Sequence, residues 1–142
     1  MPNHFHILIR QNTDLSLTKI ISKICTSYSK YFNKKYDRVG ALFQDQFKSE
    51  HVAKNEYLLW LSAYIHLNPI KLIDKDWKEK GIRNRKKALD YLAYYQYSSY
   101  LDYIGKDRIQ NKILNRKAFP NYFPTQKEFS EEIFEWINFK ND

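Results

Sequence analysis

Cysteine is all but missing from this chain. Cys25 stands alone, which excludes an internal disulfide and any zinc cluster built on cysteine. It falls at a core-like position of a helical pattern, where a small buried hydrophobe is preferred over a catalytic thiol. Also missing is any apolar run approaching the roughly 20 residues a membrane-crossing helix needs. No signal peptide is visible, so the expected compartment is the cytoplasm. Repeats and low-complexity tracts are absent, and the composition gives no reason for a second core. Acidic residues are in deficit, 16 against 24 Lys and Arg, and the net charge of +8 is spread through the middle of the chain. A polyanion is therefore the first partner to consider, with nucleic acid ahead of a membrane surface. In good supply are hydrophobic and aromatic residues, 43% and 17% of 142. That is enough to bury a core in a chain of one domain's length.

The opening "MPNHFHILIR" reads as a strand. With a period of two, His4, His6, Leu8 and Arg10 face one way and Phe5, Ile7 and Ile9 the other. After the polar turn "QNTD", Leu17, Ile20, Ile21, Ile24, Tyr28 and Phe32 recur at helical spacing with lysines opposite, which predicts an amphipathic helix near residues 16 to 33 ended by "DRVG". "ALFQDQFKSEHVA" alternates around Leu42, Phe43 and Phe47 and reads as one strand or a bent pair. A second helix is expected over residues 55 to 67, with Asn55 as its N-cap. Its run "EYLLWLSAYIHL" is apolar nearly all round and should be largely buried, and Asn68-Pro69 stops it. Beyond lie a basic stretch from Lys78 to Lys87, the tyrosine-rich "AYYQYSSYLDYIG", and an acidic amphipathic end, "SEEIFEWINF".

Two patterns carry chemistry. Imidazoles at i and i+2 of a strand project side by side and can share one divalent cation. In "AYIHLNP", Tyr64 and Asn68 are four apart on a helix, sharing a face about 6 Å apart along its axis. A tyrosine hydroxyl beside an amide oxygen at a helix end can present a nucleophile next to a third metal ligand.

Together "MPNHFHILI" and "YIHLNP", with "LFQDQFKSEHV" and "YQYSSY" more loosely, resemble the REP-associated tyrosine transposases and the wider group of single-tyrosine insertion-sequence transposases of the HUH class. The resemblance runs in order from residue 1 to about residue 104. It implies that His4, His6 and Asn68 hold a magnesium or manganese ion and that Tyr64 attacks single-stranded or hairpin DNA, forming a covalent 5′-phosphotyrosine that a second 3′-hydroxyl can resolve by rejoining. A non-catalytic remnant that binds DNA hairpins is the alternative. The resemblance also implies an α+β fold, a partial antiparallel sheet related to the ferredoxin-like HUH nuclease core. On that reading residues 1–104 form the transposase-like domain and residues 105–142 a helical extension. On the same resemblance the chain is expected to start inside the HUH strand, without the strand, helix and strand that precede it in relatives. An open sheet edge is then expected, to be covered by another segment or by a second copy in a homodimer.

Further residues are candidates for DNA contact or for packing. Gln44, Gln46 and Lys48 share one strand face and either line the DNA cleft or belong to a solvated sheet face. Arg83, Arg85, Lys86 and Lys87 either track phosphates or form a solvated surface. His66 is expected at a helix surface or in packing, and His51 is equally bland. Ser98 and Ser99 are placed to cap a helix beginning near Tyr100. Tyr97 takes a position where relatives often have tryptophan, with an aromatic packing role.

Overall fold

The structure, a computed structural model, describes residues 3–135. Among these the ordered elements are helical: α1 (Leu17–Lys35), α2 (Asn55–Leu67), α3 (Trp77–Lys80), α4 (Arg85–Tyr94), α5 (Tyr100–Tyr103) and α6 (Gln126–Glu132), with 3-10 turns at Asn68–Leu72, Ile109–Ile113 and Arg116–Ala118.

The expected α+β fold with its antiparallel sheet does not form: among the described residues there is no strand. Residues 4–12 and 46–54 run outside regular structure. Alternation specifies which side chains share a face, but a strand also needs a neighbour about 4.8 Å away to complete its ladder. The apolar face of the opening segment is present without the burial it implied, Phe5, Ile7 and Ile9 being 50%, 52% and 43% exposed. For the same reason Gln44, Gln46 and Lys48 share no strand face, and all three are exposed.

The chain divides into two compact units, one of Met1–Leu8 with Val52–Asp142 and one of Ile9–His51. The smaller unit is built on α1, which runs slightly beyond its expected end. Its amphipathic face buries only Ile21, leaving Ile20, Ile24 and Tyr28 exposed. Tyr28 stacks obliquely on Phe32 and Phe43 at 6.1 and 6.3 Å. Cys25 is partly exposed, not buried as its position suggested. The turn "DRVG" holds Asp37 at φ 48°, and Asn33 Nδ2 donates to the Gly40 carbonyl at 2.8 Å, closing the end of α1.

In the larger unit, α2 spans the expected residues, though Asn55 is its first helical residue; Lys54 takes the cap position without a side-chain bond. The chain passes from α2 directly into the 3-10 turn with Pro69 at its start, where a missing N–H costs nothing. Leu59, Ala63, His66 and Leu67 recur at i, i+4, i+7 and i+8 and turn α2's buried stripe inward. Ala63, Leu67 and Ile70 form one core with Trp77 of α3, Ala88 and Leu92 of α4, Tyr100 and Leu101 of α5, and Phe129, Ile133 and Phe134 in and after α6. Each large side chain so buried contributes about 1.5–3 kcal/mol. A capping box at Thr125 and Glu128 begins α6. Residues 136–142 of the acidic end lie outside the described residues.

Polar groups stitch the same core. Ser98 Oγ accepts the Tyr100 N–H at 3.1 Å and starts α5, while Ser99, at the cap position, instead reaches His66. Asp102, buried in α5, is gripped by Arg108 through Nε at 2.9 Å and Nη2 at 2.6 Å, a bidentate pair. Arg108 also donates to the Gln96 and Ser98 carbonyls, and Arg116 to that of Asp102. Gly105 makes the turn after α5 at φ 82°, where a Cβ would run into the Gln126 amide. Tyr97 does not pack: it is 87% exposed and meets only the edge of Tyr95 among the ring contacts described.

Candidate functional site

Tyr64 sits in an aromatic column. Tyr57, Trp60 and Tyr64 lie at i, i+3 and i+7 of α2, so successive rings share one face of the helix. Trp60 is parallel to Tyr64 with centroids 5.3 Å apart, and Trp77 flanks Tyr64 at 6.3 Å. The ammonium of Lys78, the next residue in α3, stands 4.2 Å from the Tyr64 ring centroid. Two stacked indoles restrict the tyrosine's rotation and hold its phenol in a narrow range of directions.

The histidine pair reaches this tyrosine. His4 and His6 have ring centroids 5.1 Å apart at 87°, and His6 meets Tyr64 edge-on at 6.0 Å. His4 Nδ1 lies 2.7 Å from Asn3 Oδ1. A carbonyl oxygen only accepts, so Nδ1 carries the proton and Nε2 keeps its lone pair. Partial burial, then the neighbouring His4 and, more weakly, Lys78, lower the His6 pKa below 6.5. Both effects favour the neutral, ligating form of His6. Among the described residues no cluster of three His, Cys, Asp or Glu is placed to hold a metal. A cation on this pair would need a ligand of another type, and an amide oxygen would give a mixed nitrogen and oxygen set.

Asn68 is the amide the sequence nominated. It caps α2, its N–H bonding the Tyr64 carbonyl, and its residue is 3% exposed, one turn beyond Tyr64. His66, between them, faces the core as a packing histidine. Its Nδ1 donates to the Ser62 carbonyl at 2.7 Å and Nε2 accepts from Ser99 Oγ at 2.9 Å, while Tyr103 and Phe129 meet its ring edge-on. Burial drives its pKa down to about 4. His51 is exposed.

The other nominated residues are dispersed. Gln44, Gln46 and Lys48 belong to the smaller unit. Of the basic stretch, Arg83 lies 3.6 Å from Asp76, and Arg85 pairs with Glu135, bonds the Glu131 carbonyl and covers the Phe134 ring. Lys86 and Lys87 are exposed in the first turn of α4, where Asn84 caps the helix by accepting the Lys87 N–H. Sequence reasoning missed Asn3, Trp60, Trp77 and the placement of Lys78. The three-residue step from Trp60 to neighbouring aromatics was a visible signal; the approach of Trp77 and Lys78 was not.

Residues 1–68, just under half of the chain, match the family model described as Transposase IS200 like. The matched span contains His4, His6 and Tyr64 and ends at Asn68; Lys78 and the basic stretch lie beyond it. Comparisons with curated proteins and with solved structures find no match. No helix among the described residues is long and apolar enough to cross a membrane.

Proposed function

We propose that the chain cleaves and rejoins single-stranded DNA, of hairpin-bearing type, with Tyr64 as nucleophile. The observation that carries this reading is the contact of His6 with Tyr64 at 6.0 Å. It unites a histidine pair with a potential nucleophile that lies 58 positions from His6 in the sequence. The phenol oxygen attacks the phosphorus and yields its proton to solvent. The bond from phosphorus to the 3′-oxygen breaks, and that oxygen takes up a proton, leaving the 5′-phosphate on Tyr64. Reversal by another 3′-hydroxyl rejoins DNA without a further energy source. When bound by His4, His6 and Asn68, a manganese or magnesium ion supplies charge withdrawal from the phosphate oxygens. The mixed donor set favours a borderline cation over magnesium, which prefers oxygen. The column of Trp60 and Trp77 orients the phenol. A homodimer is part of this reading, and sedimentation that shows only monomer at rising concentration removes that part.

The test is a denaturing gel of protein incubated with manganese and a pool of single-stranded DNA hairpins with randomised flanks. Wild type yields a covalent adduct that Tyr64→Phe abolishes with nearly unchanged DNA affinity, since one oxygen is lost. Binding without an adduct supports the second reading, a hairpin-binding protein without catalysis. That reading draws on the burial of Asn68, whose amide must leave its buried setting to meet a cation.

A further inference from the structure

We propose that Lys78 is a further catalytic residue, holding the attacked phosphate against Tyr64; this rests on the tyrosine-nucleophile reading above. Its Nζ stands 4.2 Å from the Tyr64 ring centroid, within the reach of a cation–π contact. The backbone that presents it is anchored. Trp77, the preceding residue, is 1% exposed and its ring flanks Tyr64, so α3 cannot drift away from α2 without opening the core.

The charge of Lys78 is also available. Of the acidic residues beside it in sequence, Glu79 forms no salt bridge with it, and Asp76 is engaged by Lys80 at 2.8 Å and approached by Arg83 at 3.6 Å. Lys78 has no carboxylate partner among the described residues and is solvent-exposed. A cation left unpaired beside a nucleophile's ring is poised for an anion from solution, and a lysine ammonium serves phosphate as a mobile point charge. Any phosphate within reach of the Tyr64 oxygen brings its non-bridging oxygens close to this ammonium. As the bond from oxygen to phosphorus forms and that to the 3′-oxygen breaks, charge on those oxygens rises, and the ammonium stabilises the transition state more than the bound DNA. Lys78 keeps its proton throughout and exchanges no electrons.

The alternative is that the lysine stem merely packs on the ring. Lys78→Met keeps an unbranched stem and loses the charge; Lys78→Arg keeps the charge. In the full chain with the hairpin pool and manganese at saturating DNA, Lys78→Met is expected to slow adduct formation about 100-fold, and Lys78→Arg to recover most of that loss. The salt dependence of DNA affinity should fall by about 0.7 in log–log slope for Lys78→Met. A methionine variant as fast as wild type, or an arginine variant as slow as the methionine one, overturns the proposal. If wild type itself forms no adduct, the nucleophile reading has failed separately. The slope then decides alone whether Lys78 touches phosphate: an unchanged slope refutes the contact, and a fall of about 0.7 retains it.

Discussion

His66 shares a motif with Tyr64 and Asn68 but has a different role. As the neutral Nδ1–H tautomer it satisfies both ring nitrogens inside the core, and burial lowers its pKa from 6.5 to about 4. The unfolded chain therefore takes a proton near pH 6.5 that the folded chain refuses until about pH 4. Stability from this group is complete above pH 6.5 and drains away as pH falls toward 4, by about 1.4 kcal/mol per unit and on the order of 3 kcal/mol in all. Urea denaturation at pH 7, 5.5 and 4.5 should show that loss in wild type and a flatter profile in His66→Gln, which does not titrate. Equal slopes in both would assign the acid sensitivity elsewhere. Asn3 acts through hydrogen bonding of another kind, fixing the His4 tautomer from an adjacent position.

Among the elements, α4 carries a conflict. Arg85, Lys86 and Lys87 occupy its first turn, where the positive end of the helix dipole disfavours cations. Arg85 is compensated by Glu135 and the Glu131 carbonyl, but Lys86 and Lys87 are simply exposed. Lys86→Glu with Lys87→Glu should therefore stabilise the fold by about 0.3–1 kcal/mol per site in thermal melts. If the stretch meets phosphate, the same pair weakens single-stranded DNA binding, and opposite signs in the two measurements would mark charges retained for binding. Unchanged affinity leaves α4 a solvated surface.

The two long helices were legible because period 3.6 and the Asn68-Pro69 stop are local signals that need no partner. The opening strand was not, since His4 to Arg10 record a face while a ladder depends on a second segment. Similarly, Tyr64 and the two histidines stood out by their motifs, "YIHLNP" and "NHFH", whereas Lys78 was submerged among neighbouring cations. Only the three-dimensional approach of α3 to α2 separates it from Lys80 and Arg83, which turn to Asp76.

At the scale of the whole molecule, charge and aromatic content have separate distributions. Basic side chains are spread over both units, while the rings of Tyr57, Trp60, Tyr64 and Trp77 gather at one place. The chain has three tryptophans, and two of them flank Tyr64. That column makes the protein its own optical reporter. Red-edge excitation selects indole over phenol, so the emission comes largely from residues that feel any phosphate or unstacked base arriving at the tyrosine. Mixing with the hairpin pool should change the emission on binding, and a second, slower change should follow formation of the adduct in wild type and vanish in Tyr64→Phe. Stopped-flow traces with one phase in both proteins would mean that binding alone is being seen. A site found through its aromatic neighbours could thus be followed in time with no label attached.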